Sequence, residues 1–374
     1  MADLRVSFLG LTLKNPLIIA AGPLTRNGAA MIKALNAGAG AVVTETIVNE
    51  ASKNVRPRLV KQEQGLQNIR LYSEYSLEEW AQEIAQVKKA GGICIANILG
   101  YTPSEMAYIA SYVEKAGADA LELNFASPHG EGIEVLSADP ERVSLTVGKV
   151  VETVDIPVMV KLSPNVSNIA LLAKVAEHAG AAGVSAINTV RSIIGVDIET
   201  GKPLLPTFGG YSGNPIRPIG LAAVATISQA VGLDVSGIGG VSSWEHVLEY
   251  MMLGAGTVQL LTSIILRGFD HIQEILSGLE TWLDTHGYVS IKEIRGKALP
   301  KLKSFEEISI EPYTALLAAP CPLPACRLCE TACVYDAISK ETGDNIRILA
   351  RNCTGCGLCV SVCPEKCFQM EWGE

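Results

Sequence analysis

Cysteine is almost absent from most of this 374-residue chain: the first 320 residues hold only Cys94. That excludes a disulfide framework for the bulk of the molecule. Aromatic residues are only 5% of the chain. No apolar run reaches the ~18 residues of a membrane-spanning helix. The opening MADLRVSFLG lacks the basic start and apolar core of a secretory signal. Positive charge is also short, with 30 Lys and Arg against 39 Asp and Glu, a net charge of −9. That balance argues against a nucleic-acid partner. A soluble cytoplasmic protein is the expectation. No G-x-G-x-x-G turn follows any strand-like run, so the doubly wound dinucleotide fold loses its usual signal.

What the chain does have divides it in two. Hydrophobic residues make up 48% and charged residues 18%, which supports a large core and excludes disorder. Nine of the ten cysteines fall between Cys321 and Cys367. The boundaries expected are 1–300 for a cysteine-poor body and 301–374 for a cysteine-dense tail, which reads as metal-binding.

In the body, short apolar runs alternate with helical stretches such as 103–116, 168–179, 219–231 and 244–253. The runs are 17–21, 41–46, 93–98, 120–125, 158–162, 184–188, 234–238 and 257–261. They show no polar alternation, as expected of parallel strands buried on both faces. NAGAGAVV, KAGADALEL, HAGAAGVSAI and LGAGTVQL repeat one logic: a helix ends, glycine caps it, and a strand begins. Eight such units predict an α/β fold, a (β/α)8 TIM barrel, with chemistry past the strand C-termini. The strand ends then offer Glu45, Asn97, Asn124, Ser127, His129, Lys161, Asn188 and Thr189. SGIGG after the seventh strand and LLTS after the eighth suit a phosphate-bearing cofactor on Gly239, Gly240, Thr262 and Ser263. GGYSG, with Gly210, Ser212 and Gly213, adds what reads as flexible backbone on a long loop.

In the tail, Cys353, Cys356, Cys359 and Cys363 followed by Pro364 form the C-x2-C-x2-C-x3-C-P run of bacterial ferredoxins. The other run, Cys321, Cys326, Cys329 and Cys333, places Cys321 two residues too far upstream and Val334 where proline is usual. The fourth cysteine of each run serves the other cluster. We therefore expect a small 2[4Fe–4S] ferredoxin domain, with Cys321, Cys326, Cys329 and Cys363 on one cluster and Cys333, Cys353, Cys356 and Cys359 on the other. If Cys321 fails to ligate, its cluster becomes labile or three-iron. Cys94 and Cys367 read as non-ligands.

The motifs KNPLIIAAGP, GAGAVVTET, ELNFASPHG, VKLSPNV, INTV, GGYSGNPIRPIGL and GIGG, in that order, resemble the flavin-binding barrel of dihydroorotate dehydrogenases. NVRPR and YSEYSLEEW resemble the dihydropyrimidine dehydrogenase branch, including its iron–sulfur subunit. The resemblance implies FMN, with Ala21, Gly22 and Thr44 among its contacts and Lys161 near its pyrimidine edge. It implies Asn124, Asn188 and Thr189 as binders of a pyrimidine-like ring, with Asn97 close to a further asparagine position. Ser127 matches the acid/base that moves a proton while hydride passes to or from FMN N5, and His129 is its nearest helper. The loop 128–138 reads as a lid. The family has lysine where this chain has Glu45, which reverses the local charge. That departure and the strand-three turn point to a ring other than uracil or thymine, one with a positive charge to meet Glu45, and the lost lysine counts against dihydroorotate. Fused flavin and clusters imply electrons from an NAD(P)H-oxidising flavoprotein subunit or from ferredoxin, and oligomers. The rival readings are dihydroorotate oxidation, a relay whose flavin only passes electrons, and a scaffold without flavin.

Overall fold

The computed structural model describes all residues except 1, 63–64, 126–137, 309–312, 324, 341–344 and 371–374. The chain forms two compact units, Met1–Lys301 and Leu302–Glu374.

The first unit is a closed barrel of eight parallel strands in sequential order. They are β1 (Leu17–Ile19), β2 (Ala41–Val43), β3 (Cys94–Ile98), β4 (Ala120–Asn124), β5 (Val158–Leu162), β6 (Gly183–Ala186), β7 (Asp234–Ile238) and β8 (Thr257–Leu260). β1 to β6 and β8 are buried along their whole length, which is why they read as unbroken apolar runs. Helices follow each strand: α1 (Gly28–Asn36), α2 (Leu77–Lys89), α3 (Pro103–Lys115), α4 (Pro140–Val151), α5 (Ile169–His178), α6 (Arg217–Ala230), α7 (Trp244–Met252), and α8 (Thr262–Arg267) with α9 (His271–Thr285) after β8. Starts are set by side-chain caps: Asn27, Ser76, Thr102, Asp139 and Asn168 each accept a backbone N–H of the first turn.

Two additions shape the barrel's ends. A hairpin, Val6–Phe8 with Leu11–Leu13, covers the bottom; its Leu9 N–H donates to the Asp234 carboxylate at 2.9 Å, at the start of β7. A four-stranded antiparallel sheet is built from the excursions after β2 and β6, in the order Val190–Ser192, Gly209–Gly213, Gly65–Asn68, Leu59–Gln62. GGYSG is thus a paired strand and not a flexible loop. A Cβ on Gly209 would stand 2.6 Å from the Asn68 carbonyl oxygen, so close strand packing explains this glycine.

In the second unit, Ala315–Leu317 pairs with Phe368–Met370, and Ile338–Lys340 with Ile346–Ile348. Two single-turn helices, α10 (Leu328–Ala332) and α11 (Leu358–Val362), carry the cysteine runs inward. The two halves repeat: Asp336 and Lys366, each three residues past the fourth cysteine of a run, both take φ +51°. Val334 in place of proline leaves that turn unchanged.

Candidate active site

Side chains alternate along a strand, so Glu122 and Asn124 of β4 point to one side, into the barrel. The parallel register sets Lys161 of β5 beside Asn124, and Ser185 of β6 beside Lys161. The Lys161 ammonium lies 3.5 Å from the buried Glu122 carboxylate, which also accepts from the Ser185 hydroxyl at 3.0 Å. Lys161 is 4% exposed, so the snorkelling lysine of a strand end is excluded. Asn124 donates to the Thr46 hydroxyl at 3.0 Å and accepts from the Asn188 amide at 3.3 Å. Asn188 in turn accepts from the Thr189 N–H at 2.8 Å.

These residues border cavities that share walls. One, of about 500 Å³, is lined by Ala21, Lys161, Asn188, Thr189, Ser212, Gly213, Gly239, Gly240, Gln259 and Thr262 among others. A second, of about 560 Å³, shares Ala21, Lys161, Asn188 and Thr189 and adds Gly22, Glu45, Thr46, Asn68, Arg70 and Asn124. A third, of about 640 Å³, shares Gly213 and Thr262 with the first and adds Ser263 and Arg267. Gly210 is a strand residue paired with Asn68 and lines none of the three. Thr44 and Asn97 also lie outside these linings. The Thr44 hydroxyl accepts the Asn97 N–H at 2.9 Å, and both residues are fully buried, a layer deeper in the barrel. Asn68, from the antiparallel sheet, is the additional asparagine on the second cavity. Ser127, His129 and most of the expected lid fall outside the described residues.

Glu45 is buried against a cation that sequence reasoning missed. Its carboxylate takes a two-pronged contact from the Arg70 guanidinium, through Nε and through Nη2 at 2.8 Å. Burial pushes the Glu45 carboxyl up, and Arg70 pulls it part of the way back. The cation facing Glu45 is therefore the chain's own, which answers the charge reversal noted in the sequence without calling on a cationic substrate.

The first and third cavities fit a phosphorylated flavin. The Gln259 carboxamide is 1% exposed, and neither of its polar atoms has a partner among the described residues. Burying such a group is costly unless a ligand satisfies it. A glutamine inside the apolar strand TVQL was the available signal. Gly239 and Gly240 take φ +127° and +74°, and a Cβ on Gly240 would fall 2.7 Å from the Arg217 nitrogen. The Tyr250 hydroxyl fixes this turn by donating to the Gly239 carbonyl at 2.7 Å. Ser263 Oγ is buried without a partner among the described residues, at the third cavity.

In the tail, one cavity is lined by Cys333, Cys353, Cys356 and Cys359, and another by Cys321, Cys326, Cys329 and Cys363. Cys367 lines neither. Among the described residues no three ligating side chains close on a single ion; a cubane's thiolates stand further apart. Backbone N–H groups already point at sulfur: Ala315 to Cys353 at 3.5 Å, Ala337 to Cys333 at 3.3 Å and Cys367 to Cys363 at 3.4 Å. That donor pattern suits cluster thiolates.

A parallel barrel with a glycine-lined cofactor cavity, a buried lysine and a ring-sized polar cavity, joined to a cysteine-cluster unit, defines a flavin and iron–sulfur oxidoreductase. Comparison with known proteins agrees. The dihydroorotate dehydrogenase family model matches residues 3–283, and a 4Fe-4S binding domain model matches 346–369. The chain is 40% identical over 301 residues to the dihydroorotate dehydrogenase B (NAD(+)) catalytic subunit of Pyrococcus abyssi, covering 79% of this chain and 99% of that protein. It is 35% identical to the subunit of the same name from Thermoplasma acidophilum, covering 80% and 100%. A crystal structure of DHODH from Eimeria tenella in complex with ferulenol superposes with TM-score 0.71 at 19% identity, over 79% of this chain and 88% of that one, which supports the fold. The chain belongs to the dihydroorotate dehydrogenase family. It is an FMN-dependent oxidoreductase acting on CH–CH bonds, with a C-terminal [4Fe–4S] domain. No helix among the described residues is long and apolar enough to cross a membrane.

Proposed function

We propose that the chain interconverts dihydroorotate and orotate, and that it holds two [4Fe–4S] clusters connecting its flavin to an NAD(H)-linked partner subunit. The observation that carries this reading is the second cavity, where three asparagines meet two cations, Lys161 and Arg70. Carboxamides offer donor and acceptor in one plane, which matches the alternating edge of a pyrimidine ring. A guanidinium suits a ring carboxylate. The relatives' names point to the same substrate and to NAD.

FMN supplies hydride transfer and the clusters supply single-electron transfer. The protein's own part is to hold and orient. Lys161 places a cation where negative charge develops during flavin reduction. Glu122 fixes that lysine. Asn68, Asn124 and Asn188 hold the ring, and Ser127 moves its proton, helped by His129 two positions on in the sequence. Electrons pass between the protein and a separate subunit or ferredoxin, since the sequence holds no nicotinamide-binding turn.

A second reading, an uncharged ring such as uracil, rests on one observation: Glu45 neutralises Arg70. The two are separated by adding orotate or uracil to the anaerobically reduced holoenzyme and following the visible flavin band. We expect orotate to reoxidise the flavin at least tenfold faster, a difference of about 1.4 kcal/mol. Faster reoxidation by uracil would transfer the assignment to dihydropyrimidines, and no reoxidation by either would overturn both.

A further inference from the structure

The iron–sulfur unit buries a lysine among its cysteines. Lys340 ends the strand Ile338–Lys340 and is 5% exposed. Its Nζ donates to the Leu323 carbonyl at 2.6 Å, the Cys326 carbonyl at 3.2 Å and the Cys321 sulfur at 3.6 Å. Three acceptors match the three N–H bonds of an ammonium. All three lie in the Cys321–Cys326 arm, the segment whose spacing departs from the ferredoxin pattern. The longer arm wraps around the ammonium.

The partners also say what is missing. Glu330 accepts from the Lys340 backbone N–H at 3.2 Å and pairs with Arg327, and among the described residues no carboxylate forms an ion pair with the ammonium. A buried charge is costly unless it is paired. Two carbonyls supply only dipoles. Of the three acceptors, only the Cys321 sulfur would carry negative charge, as a thiolate ligating a cluster.

Among the described residues, the other half of the unit shows no such device. Lys340 stands seven residues after Cys333, and Met370 stands seven residues after Cys363. Met370 pairs with Ala315, whose backbone N–H is the donor to Cys353. One sulfur therefore receives a neutral backbone donor where its counterpart receives a cation.

We propose that Lys340 is a positioning residue of the cluster ligated by Cys321: it clamps the long arm and raises that cluster's reduction potential above its neighbour's. This rests on the two-cluster reading above. Reduction adds negative charge to a cluster, and a cation against a ligand sulfur favours the reduced state. Electrons entering the unit then settle first on the Cys321 cluster.

The test is an EPR-monitored redox titration of the holoprotein, with iron and sulfide analysis, on wild type, Lys340→Met and Lys340→Arg. Lys340→Met installs the residue of the other half. We expect one midpoint to fall by at least 59 mV, a tenfold loss in a one-electron reduction equilibrium. The second midpoint stays, and Lys340→Arg remains near wild type. If Lys340→Met assembles only one four-iron cluster or shows a three-iron signal, while Lys340→Arg keeps its full iron, the clamp is supported directly. Full iron with unmoved midpoints in Lys340→Met overturns the inference, as does equal behaviour of the two variants. Wild type with a single cluster overturns the two-cluster reading and this inference together.

Discussion

Glu45 and Arg70 show how one residue changes meaning with its partner. Alone, a carboxylate at a family lysine position reads as a reversed charge. With Arg70 against it, the site keeps a cation, displaced by one side chain and held by a fork of two contacts. Removing one member of a buried pair strands the other, typically at 3–5 kcal/mol. We expect Arg70→Gln to lower thermal stability and to raise the KM for orotate about tenfold. The double variant Glu45→Gln/Arg70→Gln regains stability over Arg70→Gln while its KM stays high. Calorimetry and steady-state kinetics on the three proteins check this, and a double variant no more stable than Arg70→Gln would refute the pairing. Cys94 gives a second prediction. Burial pushes its thiol up to about 12. The thiolate is the reactive form, so Cys94 stays unalkylated in native protein at pH 8 to 9, although the free thiol's usual value is 9.0. Peptide mapping after iodoacetamide would show it; rapid native labelling would mean that β3 opens. Lys161, Asn124, Asn188 and Thr189 were legible because each is a polar residue closing an apolar strand. Asn68, Arg70 and Gln259 were not. The first two arrive from a sheet whose strands lie more than a hundred residues apart, and Gln259 is a single polar residue within an apolar strand.

At the scale of elements, the eight barrel strands were legible because burial on both faces removes polar alternation. Their ends differ from expectation by a few residues, where polar site residues continue the chain past the last ladder bond. The antiparallel sheet was not legible. Its strands Gly65–Asn68 and Gly209–Gly213 are short and rich in glycine and polar residues, and their pairing depends on tertiary contacts. The turn after β7 carries the sharpest prediction at this scale. Gly240 combines φ +74° with backbone 2.7 Å from a built Cβ. Gly240→Ala therefore costs on the order of 1–3 kcal/mol and lowers the flavin content of purified protein. Tyr250→Phe removes only the hydrogen bond to Gly239 and costs about 1 kcal/mol. If Gly240→Ala binds flavin as wild type does, the turn is not the phosphate cradle.

The whole molecule joins two units of different cohesion. The barrel holds its core with aliphatic side chains. In the tail, the core among the described residues has seven buried members, and four of them are cysteines. Such a unit depends on its metal for folding energy. We expect iron chelation under reducing conditions to expose residues 302–374 to protease while the flavin-bound barrel keeps its melting transition. A chain ending at residue 301 should fold and bind FMN but receive no electrons from the partner. Simultaneous loss of both transitions on chelation would contradict this.

The crossing of the two cysteine runs has its own consequence. Cys363 lies in the cavity of the first run, and Cys333 in that of the second. On the two-cluster reading, each cysteine run therefore reaches both clusters, and loss of iron from one would leave a loose thiolate in the run that holds the other. Damage at one site would then weaken its neighbour, while the barrel, a compact unit of its own, keeps its flavin and ring pocket. The crossed runs would then act as a circuit breaker on the electron supply.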